Sequence, residues 1–505
     1  MRRAVSELQW GRAGAAASVA ERLLARNDSD IEAVLLLGLA RGLAGDAAGA
    51  APLLARVAVA RPAHAHPCRD LAGLLRNAGR PADAEPPFRA AREFAPEDER
   101  LAFAHAAFLH EAGRLEEAAE RLGAAASPVS RNLLGILRAE QGRAEEAMAA
   151  FRAVLEVEPD NAGAYANLGA ALAGEARMEA AFEAYDAALA LAPDQVAVRL
   201  GHGYALLKAG RLVEGFAQAE WRLRQPGRPA LPPQRRLHPG APLARRRVLL
   251  TQDEGMGDTL MMLRYVPMLA RAGARVIVWV PRELQRIASA LPGIAEVMSG
   301  DGVVPPCDWI VPFLSLPYVF ATTLGTVPPP AAIVPDPAMV AAWAARLPAR
   351  GGLRVGLCWA GAAREGNPAA LAIDRRRSLT LAALAPLASV PGVQLVSLQK
   401  GPPSGQVGGA GFAIHDPMGA VADFADTASI IANLDVVVSA DTAVVHLAAS
   451  MGARVLLLDR FDNCWRWLTR RADSPWYPSL RIIRQERPGD WEGVVARVRA
   501  MIAAA

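Results

Sequence analysis

Two stretches of this sequence put reactive side chains where a turn meets a helix. The first reads Gln252-Asp253-Glu254-Gly255-Met256-Gly257-Asp258-Thr259-Leu260 and follows a short β-branched run. Asp258 has two readings there. One is a first-turn acid worth ~1 kcal/mol to its helix. The other is a general base presented to a cleft, with Gly255 and Gly257 letting substrate come close to the backbone. Gly255-x-Gly257 begins like a dinucleotide fingerprint, but Leu260 stands where the third glycine belongs, and no P-loop pattern occurs.

The second stretch is distributed. Asp374-Arg375-Arg376-Arg377-Ser378 precedes a helical pattern starting near Leu379, which would set cations and a hydroxyl beside a helix N-terminus. Ser397-Leu398-Gln399-Lys400-Gly401 closes a strand pattern, and Lys400 is one of only two lysines, the other being Lys208. Ser439-Ala440-Asp441-Thr442-Ala443-Val444-Val445-His446-Leu447 ends a strand and opens a helix, where the amides of Thr442 and Ala443 would receive a phosphate oxygen. Taken singly, these are a solvated charge run, a surface lysine and a helix cap. Together, at successive strand-to-helix junctions, they favour an anion site. His446 faces either core or cleft.

The elements that would carry these residues alternate. β-branched runs at 247–251, 275–280, 309–311, 354–359, 394–398, 436–439 and 455–458 are interleaved with helical patterns at 258–272, 379–389, 428–433 and 443–451. That alternation predicts parallel, doubly wound sheets, with ligands at the carboxyl ends of strands. The proline-rich stretch 328–337 divides the region into Rossmann-like halves, 247–337 and 338–505. Ahead of it, residues 222–246 are a linker rich in proline and arginine. Eight arginines and no acid between 222 and 247 outweigh the whole net charge of +4, so the rest of the chain is net acidic. The stretch reads as a solvated linker, and no nucleic-acid partner is expected.

Residues 1–221 carry an internal repeat. Gly11, Gly45, Gly79 and Gly113 are 34 apart; the series restarts at Gly142 and runs through Ala176 to Gly210 at the same step. Prolines keep it too, Pro62 to Pro96 and Pro159 to Pro193, and small residues recur at Gly38, Ala72, Gly135, Gly169 and Gly203. This looks like the tetratricopeptide repeat, in which paired helices stack into a superhelix with a groove suited to extended peptides. His64, His66, His105 and His110 have no metal-gathering pattern, and Asp28-Ser29-Asp30 sits at a repeat turn, where acids cap helices.

With 505 residues, 52% hydrophobic and 21% charged, the chain is a multidomain globular protein. Four scattered cysteines give no disulfide framework or zinc ribbon, and no apolar run approaches the ~20 residues of a membrane span. The expected location is cytoplasmic.

From Arg247 onward the motifs resemble family 9 glycosyltransferases of the heptosyltransferase type. The words that carry the likeness are Glu254–Thr259, Gly356–Gly361, Arg375–Ser378, Ser397–Gly401, Asp423–Thr427 and Asp441–Leu447, extended by Asp462–Trp467 and Ser474–Pro478. The resemblance implies a GT-B fold after the repeats, with acceptor on the first α/β domain and nucleotide-sugar on the second. By it, Asp258 would be the base, and Arg377, Ser378, Lys400, Asp441, Thr442, Ala443 and His446 would surround the nucleotide. No D-x-D pair lies within 246–505, so no metal and no cofactor beyond the nucleotide-sugar substrate are expected. The loop 362–373 offers only Arg364, Glu365 and Asn367 as contacts. The function expected is transfer of a sugar to an acceptor hydroxyl on a protein or peptide held by the repeats. The alternative is an interaction scaffold with a silent GT-B domain.

Overall fold

In the computed structural model every glycine of the 34-residue series lies in the left-handed region, with φ between 71° and 92°. Each ends a helix, and the amide of the following residue reaches five residues back: Arg80 to the Leu75 carbonyl at 2.8 Å, Arg114 to Leu109 at 2.9 Å, Arg211 to Leu206 at 2.9 Å. That is the Schellman closure, which needs a residue without a Cβ penalty at its left-handed position. The small residues of the repeat work differently. A Cβ on Gly38 would fall 2.8 Å from Leu54, one on Gly135 2.4 Å from Phe151, and one on Gly169 2.9 Å from Tyr185. In each case the large residue sixteen positions on lies against the small one. Asp30 caps the helix Ile31–Ala44 by accepting the Glu32 and Ala33 amides.

The structure describes residues 1–61, 65–123, 126–228, 232, 235–362 and 368–504. Pro62, His64, Arg364, Glu365 and Asn367 lie outside them. The chain forms two compact units, Met1–Asn167 and Leu168–Ala505. The first holds helices from Arg2–Gln9 to Ala144–Leu155. Its His66 and His105 are buried, the latter stacked on Phe88 at 4.9 Å. Burial pushes both down to about 4.

The division at Asn167 falls inside the repeat, so its last helices, Met178–Leu191, Val196–Lys208 and Leu212–Ala219, fold with the α/β region. Phe216 packs edge-on to Trp465 and Trp476, a contact that ties the final repeat to the C-terminal segment. Much of the described linker is exposed, but several of its arginines are paired. Arg222 is fully buried between Glu220 and Asp253, while Arg228 pairs with Glu254, Arg236 with Glu220 and Arg246 with Asp308.

Two wholly parallel sheets follow. The first has order β3-β2-β1-β4, with β1 Arg247–Thr251, β2 Arg275–Val280, β3 Ile294–Ser299 and β4 Trp309–Pro312. The second has order β6-β5-β7-β8-β9, with β5 Leu353–Cys358, β6 Val393–Ser397, β7 Val436–Ala440, β8 Val455–Asp459 and β9 Leu480–Arg484. β7 and β8 are buried along their whole length, as expected for central strands covered on both faces. Chain order reverses beside β1 in the first sheet and between β5 and β7 in the second. Those are the switch points where crevices open at carboxyl ends.

Ala176 takes a glycine's place in the series and holds φ at 55°. Relief of left-handed strain, less the entropy cost of glycine, predicts that Ala176→Gly stabilises by about 0.5–1 kcal/mol, read as a higher denaturation midpoint. A lower midpoint contradicts this. His66 and His105 are neutral in the fold, so their contribution is complete above pH 6.5 and is lost as pH falls from 6.5 towards 4. His105→Phe is therefore expected to flatten the decline of the denaturation midpoint over that interval; an unchanged slope counts against it.

Candidate functional site

The loop after β1 is built by the linker arginines. Arg222 Nε donates to Asp253 Oδ2 at 2.8 Å, and Arg228 Nη1 donates to the Asp253 carbonyl at 2.7 Å. The Leu314 amide adds a weaker contact to Asp253 Oδ1 at 3.4 Å. Clamped in this way, the loop delivers Gly255 as the cap of helix Met256–Met262. Asp258 Oδ2 accepts the Gly255 amide at 3.3 Å, so the first-turn reading of this residue holds. Its other oxygen, Oδ1, accepts Arg466 Nε at 3.0 Å and also Nη2. Asp258 is thus helix cap and ion-pair partner together, and it lines a cavity of about 1210 Å³.

Gly257 borders the cavity and is also a point of close helix packing. A Cβ there would stand 2.7 Å from His446 Cδ2 and 3.4 Å from the Ala443 Cα. The missing side chain lets the helix of the first sheet meet the helix Ala443–Ser450 of the second. His446 is 3% exposed, stacked on Trp467 at 5.5 Å, with Nδ1 at 3.0 Å from the Tyr477 hydroxyl. Burial drops it to about 4, so it is a neutral packed ring at the cavity wall.

In the second sheet Gln399 fastens two strand ends. Its Oε1 accepts the amides of Trp359 and Ala360 at 3.0 and 2.9 Å, and its Nε2 donates to the Ala360 and Lys400 carbonyls. Beside it, Thr442 caps helix Ala443–Ser450, its Oγ1 3.2 Å from Ser439 Oγ. No side-chain hydrogen bond caps this helix, and its first residues, Thr442 and Ala443, border the cavity. Asp441, Thr442, Ala443, Lys400 and Arg377 line the same cavity as Asp258, Gly255 and Gly257. Lys400 is exposed and donates Nζ to the Val421 carbonyl.

The arginine run departs from expectation in part. Residues Pro368–Arg377 are themselves helical, so Arg375, Arg376 and Arg377 occupy a last turn; the helix expected after them is also present, as a 3-10 turn Leu381–Leu384 running into Ala385–Ala388. Cations there complement the carbonyl end of the dipole. Arg377 is held by Asp374 Oδ1 at 2.8 Å and by the Asp441 carbonyl at 3.2 Å. The Ser378 hydroxyl accepts the Gly361 amide at 3.1 Å, which makes it a support for the β5 end; it is not among the residues bordering the cavity.

Several lining groups had no role in the sequence reading. Tyr185, Tyr204 and Lys208 enter from the last repeats. Lys208 Nζ donates to the Ala173 carbonyl at 2.7 Å and the Asp462 carbonyl at 3.3 Å. Burial pushes this lysine down to about 8, partly offset by Asp462. Arg460 and Arg466 enter from the stretch after β8. The rarity of lysine marked Lys208; Arg466 lay inside the Asp462–Trp467 word without a stated role. Trp467, Trp476 and Tyr477 are packing residues, 0–1% exposed.

Known proteins match this architecture in parts. The TPR repeat family matches residues 135–174, and the tetratricopeptide repeat family matches 162–195. Protein FlbA of Caulobacter vibrioides is 28% identical over 543 residues, covering 98% of this chain and 88% of that protein. A glycosyl transferase family 9 structure from Veillonella parvula is 11% identical, with a TM-score of 0.38, over 48% of this chain and 87% of its own. The E. coli ADP-heptose lps heptosyltransferase II is 13% identical, with a TM-score of 0.38, over 51% of this chain and 99% of its own. The chain carries tetratricopeptide repeats, matched over residues 135–195, followed by two parallel α/β sheets of order β3-β2-β1-β4 and β6-β5-β7-β8-β9.

Proposed function

We propose that this protein is a metal-independent glycosyltransferase that moves a sugar from a nucleotide-sugar donor to a hydroxyl of a protein or peptide held by the repeats. The observation that supports it is one cavity bordered by a carboxylate, Asp258, at the switch point of one sheet, by the Thr442 helix start at the switch point of the other, and by Lys400 after that sheet's edge strand β6. In this reading residues 247–337 carry the acceptor side and 338–505 the donor side, with 222–246 joining them to the repeats.

Asp258 takes the acceptor proton as the hydroxyl oxygen bonds to the anomeric carbon and the bond from that carbon to the phosphate oxygen breaks. The departing diphosphate gains negative charge, which the Thr442 and Ala443 amides, Lys400 and Arg377 are suited to receive. Tyr185 and Tyr204 of the last repeats border the same space, consistent with an acceptor segment arriving from that side.

Purified protein is expected to transfer or hydrolyse a sugar from some member of a nucleotide-sugar panel. Asp258→Asn is expected to lower that turnover by about 10²–10⁴-fold with nucleotide still bound. An unchanged rate removes Asp258 as the base, and no turnover or binding by the natural sequence favours the scaffold reading. Lys400→Ala is expected to weaken nucleotide-sugar binding by about 1–3 kcal/mol, measured by calorimetry. An unaltered dissociation constant returns Lys400 to the surface.

A further inference from the structure

Among the described residues Arg466 has one ionic partner, Asp258. Nε and Nη2 both go to Asp258 Oδ1, and Nη1 goes to Cys464 Sγ at 2.8 Å. Burial pushes the Cys464 thiol up, so that sulfur is a neutral and weak acceptor. The guanidinium plane lies 4.5 Å from the Trp465 ring, which fixes its direction. Its side chain and that of Asp258 are 15% and 13% exposed, and both border the cavity. The pair also adjoins the Thr442 helix start. Gly257, next to Asp258, comes within 3.4 Å of the Ala443 Cα at its Cβ position, and Asp441 adds to the field on Arg466.

A diphosphate arriving at that helix start would offer Arg466 more negative charge than one carboxylate, and oxygens spaced for two parallel N–H contacts. We propose that Arg466 is an exchange residue: it holds Asp258 in the ligand-free protein and transfers to the diphosphate of the bound donor, which frees the carboxylate. This rests on the transferase reading and adds an order of events to it. The base is masked until the donor is seated, so an acceptor hydroxyl that arrives first meets an ion pair and keeps its proton. Arg466 is then a diphosphate ligand in the loaded enzyme. Asp258 and the donor are competitors for it.

That competition has an unusual signature. If Asp258 holds Arg466 back, removing its charge must tighten diphosphate binding, although Asp258 is assigned to the acceptor side. Calorimetry with a nucleoside diphosphate, the matching monophosphate and the free nucleoside tests this on the full chain. Asp258→Asn keeps an oxygen for the Gly255 amide and is expected to bind the diphosphate about 3–10-fold more tightly. Arg466→Gln is expected to bind it about tenfold or more weakly, and Asp258→Asn added to Arg466→Gln is expected to change nothing further. The free nucleoside should bind all of these alike, which separates the effect from a collapsed pocket. Arg466→Lys, which keeps charge but loses the fork, supplies a second variant should the glutamine form melt early; its loss should fall between the others. Diphosphate affinity unchanged or weaker in Asp258→Asn overturns the exchange while leaving the transferase reading intact. Failure of the natural sequence to bind any nucleoside diphosphate overturns both.

Discussion

The buried guanidinium of Arg222 holds the α/β unit in register with its own entrance. It is 0% exposed and makes bonds with Glu220, Asp253, Ser315 and the Ala219 carbonyl. Three separate segments therefore meet at one cation: the end of the last repeat, the loop after β1 and the turn after β4. Removing one partner from such a buried cluster leaves an uncompensated charge, at about 3–5 kcal/mol. The cost secures the position of a loop that carries little apolar surface of its own. Arg228 repeats the device one turn along, and together the two arginines set where Gly255 begins its helix.

This changes what the basic stretch is. Counted as charge, residues 222–247 are a patch with no acid in it. Paired in space, Arg222, Arg228, Arg236 and Arg246 meet Asp253, Glu254, Glu220 and Asp308. A run of like charges in sequence says nothing about its partners, because those come from tertiary contacts tens of residues away. The compact units show the same limit: the repeat period continues to Gly210, yet the fold divides at Asn167 because Phe216 and Lys208 have partners near Trp465 and Asp462.

Features that depend on backbone conformation or on a continuous apolar run were legible. The glycine series predicted the left-handed turns, and the β-branched runs located seven of the nine strands to within a residue or two. The two overlooked strands, β3 and β9, are edge strands in which half-buried Glu296 and exposed Arg481 break the apolar run. The helix Pro368–Arg377 was hidden for a related reason. Its alanine-rich start offered no amphipathic stripe, and its arginines, which do stand ahead of the helical turns Leu381–Leu384 and Ala385–Ala388, are also the end of a helix. For the site, strand-end positions led to Asp258, Lys400 and Thr442 in one cavity, but no spacing rule connects Asp258 to a residue 208 positions away.

The cavity that results is charged yet internally satisfied. Arg377 is tied to Asp374, Arg466 to Asp258, Arg460 to Asp462, and each lysine gives its ammonium to a backbone carbonyl. A ligand anion therefore does not fall into an open positive field. It must replace bonds that already exist, and a charged bond exchanged for another of equal strength contributes nothing to affinity. Net gain arises only where the ligand offers better geometry than the internal partner, as a two-pronged acceptor does for a guanidinium held by a single oxygen. On that argument a small monovalent anion, which offers no second prong, is a poorer replacement for the internal partner than a diphosphate. The ion pairs that keep the empty cavity from collapsing onto unpaired charge are thus also the filter on what can enter it.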